Sequence, residues 1–324
     1  MENILVIGGA GYIGSHTARQ LAAAGYRPVI LDNLSKGHRQ AAAGFDFELG
    51  DFTDKACLER VLQKYNFAAV MHFAACTEVD RSVKDPAVFY QNNTAGVLAL
   101  LNALTAHTIK RFVFSSSAAI FGEPKTDLIN ENHPKSPINP YGHSKLMVEQ
   151  MLSDFDTAYG LKYAALRYFN ASGSDESGEI GESHSPETHL IARLIQTAAG
   201  KQKGFTIFGT DYPTSDGTCI RDFVHVNDLA RAHVLALGKL LNEPASLCFN
   251  LGSGTGHSVA EVVETVKKVT GRNFDVQTAP RRAGDPARLV ADNTKARKVL
   301  GWQPTYDLTR IIQTAWQWET HRKY

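Results

Sequence analysis

The chain of 324 residues is 43% hydrophobic and 21% charged, enough for one large core or two smaller ones, which excludes a disordered or fibrous protein. Its 34 basic and 33 acidic side chains nearly cancel to a formal net charge of +1, so no surplus draws it to nucleic acid or to an anionic membrane. A partner must be recognised by a local site.

No apolar stretch reaches the roughly 20 residues that a membrane-crossing helix needs; a run such as Val97 to Leu104 is interrupted by Asn102. Met1-Glu2-Asn3 leads straight into strand-like Ile4 to Ile7, without the basic region and cleavage site of a secretion signal, so a cytoplasmic location is expected. Cys57, Cys76, Cys219 and Cys248 lie far apart and form neither a CxxC pair nor a Cys/His set; neither a disulfide nor a bound metal is expected.

In chain order, short β-branched or aromatic runs recur at Ile4 to Ile7, Val29 to Leu31, Phe47 to Leu49, Ala69 to Phe73, Phe112 to Phe114 and Tyr163 to Leu166, with helix-period segments between them. Runs apolar on both faces suit strands buried between helices. The order predicts an α/β fold built on a Rossmann-type doubly wound parallel sheet, with ligands beyond the carboxyl ends of its strands. After Tyr168 the pattern loosens into a Gly/Ser/Glu-rich loop from Ser172 to Ser185, a helix from about His189, short strands and two further helical segments. This predicts a second, smaller α/β substrate domain over 170–324 beside a dinucleotide-binding domain over 1–169, with a segment near 222–241 returning to the first.

The first strand ends in Gly8-Gly9-Ala10-Gly11-Tyr12-Ile13-Gly14 and opens into a helix. Gly8 permits the tight turn, Gly11 lets backbone approach a pyrophosphate, and Gly14 lets the helix lie close on the strand. Amides at the helix start, with the dipole behind them, favour the phosphate charge. Asp32 closes the second strand, where its carboxylate can accept from ribose hydroxyls and repel an added 2′-phosphate, so NAD is favoured over NADP. Lys36 and Arg39 are the nearby groups that could instead hold such a phosphate. Asp51, ending the third strand, either meets the adenine edge or caps the helix that begins near Asp54.

The fifth strand ends in Ser115-Ser116-Ser117, and a Pro-rich loop leads into Tyr141-Gly142-His143-Ser144-Lys145. Tyr141 and Lys145, four apart, share one helix face. A neighbouring ammonium favours the phenolate and lowers the phenol's pKa from its usual value near 10, which makes the tyrosine able to exchange a proton with a sugar hydroxyl. Ser117 supplies a second hydroxyl for the same oxygen. His225, in strand-like Phe223 to Val226, reads as a structurally bonded histidine rather than a catalytic one, and His143 is left without a role.

The glycine motif, His72-Phe73-Ala74-Ala75, Asn92-Asn93, the triple serine, Tyr141 with Lys145, and Arg167-Tyr168-Phe169-Asn170 together resemble the extended short-chain dehydrogenase/reductase family. Within it, Gly8 to His16, Ile207 to Thr214, Asp216 to Asp222 and Ala279 to Asp285 are similar to the branch that inverts UDP-hexoses at C4. The resemblance covers nearly the whole chain. It implies a homodimer, joined through helices of the first domain with one of them near Pro86 to His107, that acts on a UDP-sugar with NAD permanently held. It places Gly8, Gly11, Tyr12, Ile13, Gly14, Asp32, Asn33, Asp51, Phe52, Phe73, Ala74, Ala75, Asn92, Ser115, Tyr141, Lys145 and Tyr168 at the NAD, with Ser117, Tyr141 and Lys145 catalytic. It places Asn170, His189, Leu190, Thr206, Phe208, Arg221, Arg282, Asp285 and Leu289 with Ser117 and Tyr141 at the UDP-sugar. The bulk at Leu289 is implied to govern entry of N-acetylated sugars, for which leucine is intermediate.

Arginine suits a diphosphate independently of any resemblance, because its planar fork makes paired charge-assisted hydrogen bonds; Arg221 and Arg282 could equally be surface ion-pair residues. The chain departs from its family where some members carry a lysine after His-Phe-Ala, since here Cys76-Thr77-Glu78 follow. A dehydratase needs an acid pair after the active-site hydroxyl, and Ser117 is followed by Ala118-Ala119-Ile120, which disfavours that sibling. UDP-glucuronate, UDP-pentose and UDP-N-acetylhexosamine remain alternative substrates, and a non-catalytic NAD-binding regulator is the rival of a different class.

Overall fold

The computed structural model describes residues 1–243, 245–282 and 284–324. Strand and helix alternate through β1 (Asn3–Ile7), α1 (Tyr12–Ala23), β2 (Arg27–Asp32), β3 (Asp46–Leu49), α2 (Lys55–Lys64) and β4 (Phe67–His72). Short helices α3 (Val79–Lys84) and α4 (Pro86–Tyr90) follow, and a π-helical turn at Gln91–Ala95 joins α4 to α5 (Gly96–Ala106). Then come β5 (Arg111–Ser117), α6 (Pro140–Tyr159), β6 (Lys162–Tyr168), β7 (Asn170–Ser172), α7 (Leu190–Ala198), β8 (Phe205–Phe208), β9 (Ile220–His225), α8 (Val226–Asn242) and β10 (Leu247–Leu251). The chain ends with β11 (Gly256–Ser258), α9 (Val259–Thr270), β12 (Val276–Ala279), β13 (Arg288–Leu289), α10 (Thr294–Leu300) and α11 (Leu308–Thr320).

Seven strands form one sheet in the order β3-β2-β1-β4-β5-β6-β10. β1 runs parallel to both β2 and β4, and the chain order reverses between β1 and β4. That switch point leaves a crevice outside the carboxyl ends of the strands, where Rossmann folds bind dinucleotides. Ile4, Leu5 and Val6 are wholly excluded from water, so both faces of β1 are covered. Each such side chain contributes roughly 2 kcal/mol of burial, which explains why these strands read as continuous apolar runs. α6 has clear stops: the Asn139 side chain accepts from Gly142 N at 2.8 Å, Pro140 occupies the first turn, and Gly160 ends the helix at φ 69°. Among the described residues no helix is long and apolar enough to cross a membrane.

The chain divides into two compact units, the first comprising Met1–Gly122, Pro134–Arg167 and Ala230–Phe249, the second Glu123–His133, Tyr168–Leu229 and Asn250–Tyr324. The division at Arg167/Tyr168 falls two residues before the expected one. The returning segment is Ala230–Phe249 rather than 222–241. Asp222 stays in the second unit because its carboxylate accepts from Ser253 N and Oγ at 2.7 Å and from Gly254 N and Ala291 N at 3.1 Å. Glu123–His133, expected in the first domain, belongs to the second unit: Ile129 N donates to Val290 O at 2.9 Å, and its carbonyl accepts from Asp292 N and from Asn250 Nδ2. In the second unit β9 pairs with β7 and β13 in parallel and with β11 antiparallel, and β8 pairs with β12. Leu194, Val262, Val266, Ile311 and Ile312 fill the core among α7, α9 and α11.

Candidate active site

Three glycines of the first loop are glycine for different reasons. Gly8 has φ +79°, and a Cβ there would lie 2.6 Å from Ala74 N; a Cβ on Gly14 would lie 2.2 Å from Gly8 O. Those two are demanded by the fold. A Cβ on Gly11 would meet only Gly8 O, at 3.3 Å, so the protein itself hardly needs glycine there. Gly11 also caps α1 without any side-chain hydrogen bond to the helix, leaving the amide end of Tyr12, Ile13 and Gly14 bare of side-chain caps. This cradle fits a diphosphate group.

At the end of β2 the buried carboxylate of Asp32 accepts from Ala10 N at 2.9 Å through one oxygen and from Leu34 N at 2.8 Å through the other. Burial pushes its pKa up against these bonds. Lone pairs remain for a ribose hydroxyl, while Leu34 is held in left-handed backbone at φ 58°. The cations that could have taken a 2′-phosphate are engaged: Lys36 lies 3.0 Å from Glu78, and the Arg39 guanidinium sits 4.0 Å over the Phe47 ring. Asp51 does not cap α2. Asp54 does so, accepting from Ala56 N at 2.9 Å, while Asp51 accepts from Thr53 N and Asn33 Nδ2, each at 2.8 Å.

Phe52 turns its ring into the core, edge-on to His72 at 4.9 Å, and Phe73 lies 4.9 Å from His233. Ala74 packs against Gly8 and Ala75 follows it in the same loop, while Tyr168 is buried at the end of β6. Asn92 lies in the π-helical turn, a geometry frequent at functional sites. Its neighbour Asn93 is the scaffold: it accepts from Cys76 N and donates to Cys76 O, both at 2.9 Å, and donates to Ser144 Oγ at 3.2 Å.

The catalytic candidates meet where β5 ends and α6 begins. Lys145 Nζ donates to Ser115 O at 2.7 Å and lies 5.8 Å from the centre of the Tyr141 ring. Ser117 Oγ accepts from Ala119 N at 3.1 Å, and its side chain is the neighbour that favours the Tyr141 phenolate. The expected electrostatics are not what the protein alone provides. Burial pushes the Tyr141 phenol up, with only the Ser117 side chain opposing it, and burial pulls the Lys145 ammonium down to about 7. Both groups lose water before they gain each other, so desolvation outweighs the ammonium's pull. His72, enclosed by Phe52, Phe112 and Phe114, is likewise held down to about 3 and stays neutral.

Glu149 was not singled out by the sequence. It lies eight residues after Tyr141 on α6, is buried, and accepts from Ser116 Oγ at 2.7 Å and from Arg167 Nε at 2.8 Å. Nothing in its spacing separates it from a solvated helix residue; only Arg167, inside an otherwise apolar strand, hints at a buried partner.

In the second unit, strand alternation turns Thr206 and Phe208 away from the core that Phe205 and Ile207 fill. The Arg282 guanidinium lies 4.1 Å over the Phe208 ring. Arg221 pairs with Asp285 at 2.7 Å and donates to Pro286 O at 2.8 Å, and Leu289 is in register with Arg221 across β13 and β9. These residues are brought together. Asn170 Nδ2 donates to Asp222 O at 2.8 Å. A cleft of about 660 Å³ is lined by Glu123 to Asp127, Tyr212, Arg281 and Asp285 to Arg288; of the expected substrate residues only Asp285 reaches it. Leu190 starts α7 and packs on the core, and His189 faces Glu182 and Glu187. His225 is structural: Nε2 meets Thr314 Oγ1 at 3.0 Å, Nδ1 accepts from Asn227 N, and the ring stacks on Tyr306 at 3.8 Å. His143 is exposed.

A family model described as GDP-mannose 4,6 dehydratase matches residues 5–315. A UDP-glucose 4-epimerase of Rhizobium meliloti (strain 1021) is 52% identical over 321 residues, 99% of this chain and 98% of that one. The crystal structure of UDP-glucose 4-epimerase from Brucella ovis in complex with NAD is 50% identical with a TM-score of 0.95, covering 98% of both chains. That from Bifidobacterium longum, in complex with NAD+ and UDP, is 36% identical with a TM-score of 0.93, covering 99% of this chain and 98% of that one. Similar along its whole length to epimerases in sequence and in fold, with alanines where a dehydratase would carry acids after Ser117, this chain belongs to the UDP-glucose 4-epimerase family within the extended short-chain dehydrogenases/reductases.

Proposed function

We propose that the chain interconverts UDP-galactose and UDP-glucose by inverting C4, using NAD that it retains between turnovers. The observation that carries this reading is Lys145, keyed to Ser115 O at 2.7 Å and 5.8 Å from the Tyr141 ring centre, at the carboxyl end of β5 beside Ser117, in a sheet whose first loop fits a diphosphate. NAD, when bound, would take up the C4 hydrogen with its electron pair and return it to the opposite face of C4. Gly11 and the start of α1 hold the diphosphate of the cofactor, and Asp32 accepts from its ribose. Tyr141 removes the proton of the C4 hydroxyl and later gives it back, while Ser117 holds the same oxygen. Lys145, when charged, stabilises the phenolate. Arg221, Arg282 and Asp285 take the nucleotide, the two arginines exchanging their present ion pair and ring contact for the diphosphate.

The working unit in this reading is a homodimer. Support comes from apolar side chains at the surface of consecutive helices: Val88 on α4 is 37% exposed, Leu98 on α5 41% and Met147 on α6 45%. Four free thiols suit a reducing cytoplasm.

A substrate panel tests the assignment. The kcat/KM for UDP-galactose should exceed those for UDP-glucuronate, UDP-pentose and UDP-N-acetylglucosamine; a higher value for any of these three would replace UDP-galactose as the substrate.

A further inference from the structure

We propose that Glu182, His184, Glu187 and His189, in the loop leading into α7, form a structural site for a divalent transition-metal ion, with zinc the best match. No metal was expected from the cysteine pattern. The four side chains nevertheless turn one ligand atom each toward a common point, all within 4.8 Å of one another.

The separations suit a small tetrahedral ion. His189 Nδ1 lies 2.7 Å from Glu182 Oε1 and 3.1 Å from Glu187 Oε1; His184 Nδ1 lies 3.3 Å from Glu182 Oε1 and 3.6 Å from Glu187 Oε2. Zinc–nitrogen and zinc–oxygen bonds of about 2.0–2.2 Å put tetrahedral ligands about 3.3–3.5 Å apart. The separations of His189 and His184 from Glu182 and of His184 from Glu187 bracket that edge, and the remaining ones stay within 4.8 Å. Two neutral imidazoles and two carboxylates also make a zinc site electrically neutral, in the ligand chemistry that zinc prefers.

The two carboxylates also need positive charge beside them. The Glu182 and Glu187 side chains are only 8% and 3% exposed. Among the described residues no lysine or arginine pairs with either; only the two histidines do. Two carboxylates taken out of water this close to each other require compensation. It is either two protons, one on each imidazole, or one dication in their place.

The ligands are also held from behind. Glu187 Oε1 accepts from Thr188 N at 2.7 Å and from His189 N at 2.8 Å, which aims its other oxygen at His184. Glu182 is fixed through its carbonyl, which accepts from Trp318 Nε1 at 2.8 Å. Such outer contacts orient first ligands in metal sites. With four protein ligands the ion has no open position, so its role is structural: it fastens the loop from Glu182 onto His189, the residue that precedes α7.

The test uses the full-length, tag-free chain with the metals themselves as probes. Elemental analysis after purification without chelator should find roughly one zinc per chain. After chelation, Co²⁺ should bind with about one equivalent and give the strong visible bands of tetrahedral cobalt. His184→Ala and, separately, Glu187→Gln should abolish both signals, with circular dichroism confirming the fold. Wild-type protein that takes up neither zinc nor cobalt would show an ion-pair network only and overturn the proposal. So would an unchanged stoichiometry in Glu187→Gln, which keeps the side chain's size.

Discussion

Glu149 grips Arg167 with both carboxylate oxygens, Oε1 accepting from Nε at 2.8 Å and Oε2 from Nη2 at 2.7 Å, in a pair whose side chains are 5% and 2% exposed. The same Oε1 takes the Ser116 hydroxyl. Through this contact the helix that carries Tyr141 and Lys145 is locked to the strand end that carries Ser115 and Ser117, so a buried ion pair sets the register of the candidate catalytic groups. Removing the carboxylate takes the two-pronged acceptor away from a buried arginine.

Glu149→Ala should therefore cost about 3–5 kcal/mol in urea unfolding, the range for breaking a buried pair from one side. A loss below about 1 kcal/mol would mean that the pair is solvated in solution.

The first loop separates what the fold needs from what the cofactor needs. Gly14→Ala, whose Cβ would lie 2.2 Å from a carbonyl oxygen, should be strongly destabilised, whereas Gly11→Ala should unfold within about 1 kcal/mol of the parent yet lose most of its NAD. Equal retention of NAD in Gly11→Ala would show that the diphosphate does not approach this residue. Chemical unfolding with spectrophotometric assay of extracted NAD reads both.

Tyr141→Phe should keep its fold and its NAD but lose about 10²–10⁴-fold in kcat, the usual contribution of a positioned acid–base group. Near-normal turnover would remove Tyr141 from proton transfer.

Lys145 makes a pH prediction of defined sign. Its ammonium is held down to about 7 in the folded protein against 10.5 ordinarily. Between those values the unfolded chain binds the extra proton, so the lysine's cost to stability is full below pH 7 and shrinks as pH rises toward 10. In protein freed of NAD, the stability of Lys145→Met minus that of the parent should fall across pH 7–9. A constant difference would show that Lys145 keeps its ordinary pKa.

Much of the first unit is legible in the sequence. The strands of the first unit are short runs apolar on both faces because the sheet is covered on both sides, and local periodicity reports that directly. The places of the glycine loop, Asp32, Ser117, Tyr141 and Lys145 at strand and helix ends are readable because local patterning locates those ends. What was missed depends on distance along the chain. Glu123–His133 joins the second unit through backbone pairing with Val290 and Asp292, which no local pattern encodes. Glu149 resembles any helical glutamate until Arg167 is brought to it. The direction of the Tyr141 shift depends on how much water the fold removes, a quantity that residue spacing does not carry. The grouping of Glu182, His184, Glu187 and His189 depends on how the loop before α7 folds back on itself, which cysteine spacing does not report.

Surface apolar groups on α4 to α6 account for the dimer in this reading. Light scattering should give twice the chain mass, and Leu98→Glu with Met147→Glu should give the single chain mass. A parent protein that already runs as a monomer would rule out that interface.

The central claim is tested most directly by incubating the purified chain with UDP-galactose, with no NAD added, and resolving the nucleotide sugars by chromatography. The account predicts that UDP-glucose accumulates to a fixed equilibrium ratio, reached equally from UDP-glucose as starting material. Unchanged UDP-galactose, both without NAD and after NAD is supplied, would contradict it.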